Sequence, residues 1–339
     1  MANAMEQGQP NPSLIFELIN GFQRTAAMKA AIELDVFTAV GEGIATPAHL
    51  AKRCGTTERG ARILCDYLSI VGILTKKDGS YALTRDAAVF LDKRSPACIG
   101  SIANFLTMPH AIDLFMDLTE TLRSGGSSLA EKAAIEPENP IWVEFARSMR
   151  PMMALPASLI AEMLGAASGE KWKVLDIAAG HGIFGITLAK QNPNAEIFAL
   201  DWPNVLAVAK ENAEAAGVGS RHHLLPGSAF DVALGSGYDL VLLTNFLHHF
   251  DIATNESLLR KVHAALAPNG RAVTLEFVPN DDRVTPPAAA AFSMTMLGHT
   301  PAGDAYTFAE YQRMFKNAGF SSIEIRPLPG PESVIISRK

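Results

Sequence analysis

The spacing of apolar residues changes near residue 171, which divides the chain into two parts. Before that point apolar side chains recur every three or four residues, as in amphipathic helices. After it, short runs rich in Val, Ile and Leu alternate with helical stretches, a pattern typical of a parallel, doubly wound α/β sheet. Its predicted strands are 174–177, 197–200, 222–225, 240–243 and 272–277, and its predicted helices lie near 183–190, 203–216, 253–267 and 307–318.

The chain ends on a different pattern. Two short apolar runs, 323–325 and 334–336, are joined by the proline-rich link 327–331. Such a short link joins antiparallel strands, so we expect an antiparallel edge on the parallel sheet. The predicted fold is therefore a mostly parallel, seven-stranded Rossmann-like sheet whose last strands are antiparallel.

The N-terminal part predicts several helices followed by a hairpin. Residues 13–40 have helical spacing, Thr46-Pro47 and Thr56-Thr57 open two further helices, and Lys77-Asp78-Gly79-Ser80 is a turn between two short strands. This order is that of a winged helix, a topology that serves either DNA binding or dimerisation. Few basic residues lie on its second and third helices, and acidic residues offset them, so dimerisation is favoured.

Between these two parts, residues 97–165 read as helices with breaks at 123–127 and 136–140. We therefore expect three segments. Residues 1–105 form a winged-helix-like dimerisation domain, 106–165 form a helical connector, and 166–339 form the sheet domain. A run of four alanines at 288–291, directly after Pro286-Pro287, predicts a short helix that covers the sheet domain or reaches a partner subunit.

Composition narrows the class of protein. The 339 residues are 48% hydrophobic and 19% charged, enough to bury sizeable cores. A net charge of −6 argues against a general binder of nucleic acids or anionic membranes. Three cysteines without metal-type spacing indicate a reducing compartment. The polar N-terminus and the lack of long apolar runs lead us to expect a cytoplasmic, soluble protein.

Candidate chemistry begins with a loop of small residues after the first sheet strand. Asp176 lies in that strand, and Ala178, Gly180 and Gly182 follow it and let a ligand approach the backbone. A loop at the carboxyl end of a first parallel strand is where nucleotide-like cofactors bind. Asp201 ends the second strand, where a carboxylate can accept hydrogen bonds from both hydroxyls of a ribose.

The other strand ends carry small or polar residues as well. Because carboxyl ends of parallel strands meet at one edge of the sheet, five such ends in succession predict a cofactor crevice. Trp202 or Phe230 supplies an apolar wall for an adenine. The remaining residues at these ends are Gly227, Ser228, Ala229, Thr244, Asn245, His248 and Glu276.

From Val174 onward the sequence resembles class I S-adenosylmethionine-dependent methyltransferases. Over its whole length it resembles the small-molecule O-methyltransferases of the caffeate and acetylserotonin type and their bacterial relatives. The motifs that carry this resemblance are Leu175-Asp176-x-Ala178-x-Gly180-x-Gly182, Asp201-Trp202-Pro203, Gly227-Ser228-Ala229-Phe230, Leu247-His248-His249-Phe250, Glu276-x-x-Pro279 and His299-Thr300-Pro301-x-Gly303-Asp304-Ala305-Tyr306-Thr307. It implies S-adenosylmethionine as cofactor, S-adenosylhomocysteine as product, no metal ion, and a homodimer through the N-terminal domain.

The resemblance also implies catalytic roles for two residues. His248 takes the place of the family's general base, and Glu276 that of the glutamate that orients it. Imidazole exchanges protons near neutral pH, and a carboxylate on its other nitrogen fixes the tautomer and stabilises the imidazolium. A methyl group is then transferred in line, with positioning supplying much of the rate.

Four positions depart from the family pattern. Ala178 replaces the first loop glycine, Ser228 replaces the acid of the third strand end, and His249 replaces the acid after the base. A second glutamate that flanks the base in plant enzymes aligns with Ala305, and the neighbouring Asp304 is a candidate to replace it.

The acceptor pocket is expected to draw on the connector and on the segment after the fifth strand. Its predicted lining is mostly apolar with a few polar points, which suits a planar aromatic or polyketide-like acceptor. The same residues can instead serve as packing between segments. The candidates are Phe145, Met149, Met152, Thr295, Met296, His299 and Thr300, with Asp304 as a further polar anchor.

Three functions remain open at this point. The first is O-methylation of a small hydroxylated acceptor, with His248 as base. The second is C-methylation, or a non-methylating use of the cofactor, motivated by the altered acids near His248. The third is a cofactor-sensing regulator whose winged helix binds DNA, against which the acidic balance argues.

Overall fold

The computed structural model describes residues 10–116, 118–127 and 139–339. The chain divides into two compact units, Met1–Thr107 and Met108–Lys339. The break expected at 136–140 lies mostly outside the described residues. The three-segment division expected from the sequence stays a prediction.

The described part of the first unit is helical with one hairpin. The helical stretch predicted at 13–40 is interrupted twice, at Asn20 and at Leu34-Asp35, where Asp35 adopts a left-handed φ of 59°. The elements are α1 Ser13–Ile19, α2 Gly21–Glu33, α3 Val36–Gly41, α4 Pro47–Cys54, α5 Glu58–Ile70, β1 Leu74–Lys77, β2 Ser80–Leu83, α6 Arg85–Phe90 and α7 Ile102–Leu106.

Local sequence signals set the boundaries in this unit as expected. Gly55, with a φ of 68°, ends α4, and the Thr57 side chain caps α5 by accepting from the Gly60 N–H. Asp78 and Gly79, with φ of 49° and 76°, form the hairpin turn between β1 and β2. Helices α3 to α5 followed by β1 and β2 thus give the predicted helix and hairpin order.

The second unit is built around a seven-stranded sheet. Its elements are α8 Pro109–Met116, α9 Leu118–Ser124, α10 Pro140–Met163, β3 Trp172–Ile177, α11 Ile183–Gln191, β4 Ala195–Asp201, α12 Pro203–Ala215, β5 His222–Pro226, β6 Tyr238–Thr244, α13 Ile252–Ala265, β7 Leu266–Phe277, α14 Pro287–Ala290, α15 Phe292–His299, α16 Phe308–Asn317, β8 Ser322–Pro327 and β9 Glu332–Arg338. Every predicted strand and helix of this domain appears. The strands extend beyond their predicted bounds, most of all β7, which begins at Leu266 and not at 272, whereas α12 and α16 are slightly shorter than predicted.

The strand order is β5-β4-β3-β6-β7-β9-β8. Strands β3 to β7 pair in parallel, whereas β9 pairs antiparallel with both β7 and β8. The predicted fold class, including the antiparallel closing edge, is confirmed.

Apolar layers cover both faces of the sheet. One face packs against α13 and α16, with Leu259, Tyr311 and Phe315 in its core. The other packs against α10 and α11, with Ile160 and Leu188 in its core. None of the described helices is both long and apolar enough to cross a membrane.

Candidate active site

The site lies at the point in the sheet where the order of successive strands reverses. Strand β3 has β4 on one side and β6 on the other, so the loops after these three strands diverge and leave a crevice. The loop after β3, residues 178–182, lies at the centre of this edge. All five predicted strand ends are at the same edge.

The loop 178–182 depends on left-handed backbone conformations. Ala178, Gly180 and Gly182 have φ of 54°, 57° and 72°. A Cβ on Gly182 would lie 3.1 Å from the Cβ of Ala209 on α12, so glycine is needed for this close approach. Beyond its two chain neighbours, the one atom of the described residues within 4 Å of a Cβ on Gly180 is Ala178 O, at 3.9 Å. The loop therefore packs against α12 at Gly182, whereas Gly180 faces open space, where a ligand can approach.

Two aspartates hold this loop in place. The Asp201 carboxylate accepts from the Gly180 N–H at 2.8 Å and from the Trp202 N–H at 2.7 Å. Asp176 is fully buried and accepts from the Gly185 N–H at 3.2 Å, at the start of α11. Burial raises the pKa of Asp176 to about 7 and that of Asp201 to about 6. Burial therefore disfavours the ionised form of both carboxyl groups.

The loop after β5 is folded on itself. The Ser228 hydroxyl accepts from the Phe230 N–H at 3.1 Å, so Ser228 caps a turn. Lys261 of α13 anchors the same loop by donating to the carbonyl oxygens of Ala229 and Phe230. Phe230 packs edge-on against Phe250 at a centroid distance of 4.9 Å, which gives this side of the crevice an aromatic wall.

His248 and Glu276 form a buried pair. Nδ1 of His248 lies 2.6 Å from Oε2 of Glu276, and the side chains are 5% and 0% exposed. Oε1 of Glu276 accepts from the backbone N–H groups of Phe246, Leu247 and His248 at 3.1, 2.8 and 3.3 Å. One carboxylate thus fixes both the loop and the ring that the loop carries, which leaves Nε2 of His248 to exchange a proton.

Aromatic side chains surround this histidine. Phe292 of α15 meets the His248 ring edge-on at 4.9 Å, and Phe292 stacks on Phe277 at 3.8 Å. The His249 ring is 4.4 Å from that of His248 and 5.9 Å from that of Trp142 on α10. Burial holds the pKa of His249 well below its usual value, so His249 is neutral and adds no charge beside His248.

The segment 300–305 packs directly against the loop that carries His248. The Asp304 N–H donates to the His248 carbonyl at 3.0 Å. A Cβ on Gly303 would lie 2.2 Å from that same carbonyl oxygen, so glycine is required there. The Asp304 carboxylate pairs with Arg283 at 2.9 Å. Among the described residues, Glu276 is the carboxylate that contacts the His248 ring, and replacement of the family's second acid by Asp304 remains unsupported.

The candidate acceptor residues fall on two helices that reach the same loop. On α10, Phe145 meets Trp142 edge-on at 5.9 Å, Met149 is buried, and Met152 packs on the core beneath. On α15, Met296 is buried, and Nδ1 of His299 lies 2.9 Å from the carbonyl oxygen of Thr295. Thr300, the residue after α15, is buried and its hydroxyl donates to the Met296 carbonyl. Their contact with an acceptor stays a prediction.

Four residues near the site were not identified from the sequence. Trp142, Met153 and Glu332 come from segments distant in sequence from the strand-end motifs, and Lys261 lies in the middle of α13. Helical spacing places Lys261 on α13, but only the folded chain shows its ammonium group on the β5 loop. Glu332 begins the antiparallel strand β9, so the rule that searches the ends of parallel strands does not reach it.

These features together define a class. A doubly wound sheet with an antiparallel closing edge, a small-residue loop after its first parallel strand and an acid at the end of the next is the arrangement of S-adenosylmethionine-dependent methyltransferases. The open space at Gly180 and the carboxylate of Asp201 beside it fit a nucleoside cofactor.

Comparisons with known proteins agree. Residues 143–321 match the O-methyltransferase domain, and residues 16–93 match the O-methyltransferase dimerisation domain. A 3-hydroxy-5-methyl-1-naphthoate 3-O-methyltransferase from Streptomyces sahachiroi is 31% identical, covering 97% of this chain and 95% of that protein. An L-tyrosine C(3)-methyltransferase from Streptomyces lavendulae is 27% identical, covering 92% of this chain and 88% of that protein.

Solved structures show the same fold. A candidate O-methyltransferase from Nostoc punctiforme superposes with a TM-score of 0.93 at 53% identity, covering 98% of this chain and 100% of that one. Human N-acetylserotonin methyltransferase, solved with S-adenosylmethionine, superposes with a TM-score of 0.84 at 21% identity, covering 99% of both chains. The chain belongs to the O-methyltransferase family. It is a methyltransferase, and its cofactor is S-adenosylmethionine.

Proposed function

We propose that the protein transfers a methyl group to a hydroxyl oxygen of a small aromatic or polyketide-like acceptor, with His248 as general base and Glu276 as the group that orients it. The observation that carries this proposal is the buried 2.6 Å contact between His248 Nδ1 and Glu276 Oε2. The acceptor class is supported by the apolar lining on α10 and α15 and by relatives that act on a naphthoate and in tetracenomycin synthesis.

In this proposal, one set of residues binds the cofactor and His248 accepts the proton. When bound, S-adenosylmethionine supplies a methyl group activated by its sulfonium. Asp201 and the backbone around Gly180 hold the nucleoside, and Phe230 and Trp202 flank the adenine. Asp176, Ala178, Gly182, Gly227, Ser228, Ala229, Thr244 and Asn245 complete the proposed cofactor site. His248 Nε2 accepts the hydroxyl proton as the oxygen bonds to the methyl carbon and the carbon–sulfur bond breaks.

Glu276 makes this proton transfer favourable. Its carboxylate holds the proton on Nδ1, so Nε2 is the nitrogen that accepts, and it stabilises the resulting imidazolium. The low exposure of both side chains keeps competing water from the pair. No step requires a metal ion. The described residues contain no group of three or more His, Cys, Asp or Glu arranged to hold one.

Replacement of His248 by alanine tests the base. We expect His248→Ala to lower kcat by about a hundred- to ten-thousandfold, while the affinity for S-adenosylhomocysteine measured by calorimetry stays nearly unchanged. His223→Ala is the matched control, because His223 also pairs with a glutamate at 2.6 Å but is exposed at the far end of the sheet. Full turnover by His248→Ala would refute the assignment.

Carbon is the alternative nucleophile. The relative that methylates carbon 3 of tyrosine, together with Ser228, His249 and Ala305 at positions where the family carries acids, favours this second candidate. Mass and NMR analysis of the methylated product distinguishes an O-methyl from a C-methyl group.

The assembly proposed for this enzyme is a cytoplasmic homodimer formed through the N-terminal domain, without nucleic-acid or membrane partners. The dimerisation-domain match over residues 16–93 supports the dimer. The net charge of −6 supports the absence of nucleic-acid binding. A gel-shift assay that showed salt-sensitive DNA binding would instead favour the regulator.

A further inference from the structure

Glu332 is a buried carboxyl group close to the proposed catalytic pair. It begins β9, directly opposite Phe277 at the end of β7, so it lies one residue along from Glu276 at the site edge of the sheet. The residue is 6% exposed, and its Oε1 atom is sealed from solvent without a hydrogen-bond partner among the described residues. A buried carboxylate in this state is costly, and protonation removes the cost.

Asn245 lies beside Glu332, and its side chain also has a buried oxygen atom without a partner within the described ranges. Its side chain lies close enough to the Glu332 carboxyl group to lower the pKa of that group, and its Nδ2 contacts the sulfur of Met153 at 3.4 Å. Its Oδ1 atom is buried and lacks a partner in the described part of the chain. Each of these two side chains therefore has one oxygen atom that is sealed from water and has no donor among the described residues.

One proton satisfies both atoms. A neutral carboxylic acid and a primary amide can pair through two hydrogen bonds, with the acid O–H donating to the amide oxygen and the amide N–H donating to the acid carbonyl. In this arrangement Oε1 of Glu332 donates to Oδ1 of Asn245, and Nδ2 of Asn245 donates to the other oxygen of Glu332. The second hydrogen on Nδ2 remains directed at Met153.

The position of Asn245 links this pair to His248. Asn245 is the first residue after β6, has a left-handed φ of 54°, and starts the loop whose next three N–H groups bind Glu276. A non-glycine residue in that conformation costs about 1 kcal/mol and needs support from its surroundings. The pairing of its side chain with Glu332 is such a support.

We propose that Glu332 holds a proton that it donates to Asn245, and that this acid–amide pair fixes the start of the loop that carries His248. Glu332 is thus a positioning residue, and its effect on turnover rests on the function proposed for His248. Burial is the main cause that raises the pKa of Glu332 to about 7, and this value already includes the opposing effect of Asn245, a further rise from Glu276 and a lowering by His248.

The proposed protonation of Glu332 can be tested without measuring enzyme activity. Glu332→Gln keeps the shape and both hydrogen bonds of the pair but cannot ionise. Unfolded Glu ionises near pH 4.5 and folded Glu332 near pH 7, so the wild type loses stability relative to the variant as pH rises between these values and not beyond them. We expect the difference in melting temperature, variant minus wild type, to grow across this window and then level off.

Infrared difference spectra provide a direct readout. The wild type at pH 5.5 should show a protonated-carboxyl carbonyl band that Glu332→Gln lacks and that disappears from the wild type above pH 8. Parallel melting curves at every pH, or identical carboxyl bands in the two proteins, would overturn the proposal that Glu332 holds a proton.

The positioning role is tested by kcat across pH. Glu332→Leu removes the pair and should lower kcat by about ten- to a hundredfold, with little change in the affinity for S-adenosylhomocysteine. Glu332→Gln should restore kcat, and it should not share the loss of kcat that we expect for the wild type above pH 7. Asn245→Gly, which tolerates the left-handed backbone but lacks the amide, should show a similar fall in kcat at saturating S-adenosylmethionine. Because Asn245 also belongs to the proposed cofactor site, only kcat is compared for this variant.

These outcomes separate the two proposals. Wild-type kcat in Glu332→Leu and Asn245→Gly would refute the positioning role, whatever the spectra show. If His248→Ala kept full turnover, the base assignment would fail, yet the melting and infrared tests of the Glu332 proton would stand unaffected. If Glu332→Leu does not fold, Glu332→Gln and Asn245→Gly still decide the matter.

Discussion

At the scale of single residues, backbone conformation constrains the cofactor loop more strongly than side-chain chemistry. Ala178 has a φ of 54°, a region that a Cβ atom disfavours. The resemblance to the family marks this position as one usually held by glycine. The structure supplies the physical reason, because the backbone must turn left-handed to bring Gly180 to the Asp201 carboxylate.

Ala178→Gly should therefore stabilise the protein. The left-handed conformation costs an alanine about 1–2 kcal/mol, and the greater freedom of glycine in the unfolded chain costs about 0.5–1 kcal/mol, so a net gain of roughly 0.5–1 kcal/mol is expected. Urea unfolding measures it. Ala179→Gly is the control in the same loop, because Ala179 is buried and has no positive φ; it should be destabilising. A loss of stability in Ala178→Gly would contradict the strain argument.

At the scale of elements, His248, the proposed general base, is held from two directions. Glu276 of β7 binds its ring and its loop, and the segment 300–305 presses on its carbonyl oxygen from outside the sheet. The same segment meets Gly126 and Ser127 on its other side, where the Ser127 N–H donates to the Thr300 carbonyl. Arg283 adds ion pairs to Asp304 and to Glu310 of α16.

Gly303→Ala should lower turnover by displacing the loop that carries the base. The added Cβ would lie 2.2 Å from the His248 carbonyl oxygen and 2.7 Å from Thr300 Oγ1, so the backbone must move. A displacement of this size costs roughly tenfold to a hundredfold in kcat, with nearly unchanged binding of S-adenosylhomocysteine.

Gly219→Ala is the matched control for this substitution. The nearest atom to its added Cβ is the flexible side chain of Glu214, at 3.3 Å, and Gly219 lies away from the crevice. Steady-state kinetics that gave equal kcat for both variants would show that the 300–305 segment does not fix the base.

At the scale of the whole molecule, the N-terminal helices expose a large apolar surface. Six large apolar side chains of α1 and α2 are at least half exposed, which exceeds what a monomer usually leaves in water. They are Leu14, Ile15, Phe16, Leu18, Ile19 and Phe22. This surface begins the segment that matches the dimerisation domain, so a second copy of the chain is the expected occupant.

Leu18→Glu combined with Phe22→Glu should convert the dimer to a monomer. Burying two charges in an apolar interface costs several kcal/mol, enough to dissociate the pair at micromolar concentration. Light scattering measures the molar mass. Val284→Glu, at an equally exposed apolar residue of the other unit, is the control and should leave the dimer intact. A dimer that survived the double substitution would place the interface elsewhere.

The sequence by itself determined the sheet domain almost completely. Strand periodicity, the proline-rich link before β9 and the caps of the helices are local signals, because they act through neighbours in the chain. The strand-end residues Asp176, Asp201, His248 and Glu276 were predictable for a related reason. The carboxyl ends of parallel strands always meet at one edge, so topology alone brings them together.

Only the tertiary structure decided which side chains complete the site. Glu332 enters from an antiparallel strand, Lys261 from the middle of a helix, and Trp142 from α10, and no periodicity in the chain points from these positions to the crevice. Asp304, a candidate acid on sequence grounds, pairs instead with Arg283. Such choices depend on distances between segments far apart in sequence, and on which polar atoms burial leaves without a partner. Tertiary packing alone determines these distances and these unpartnered atoms.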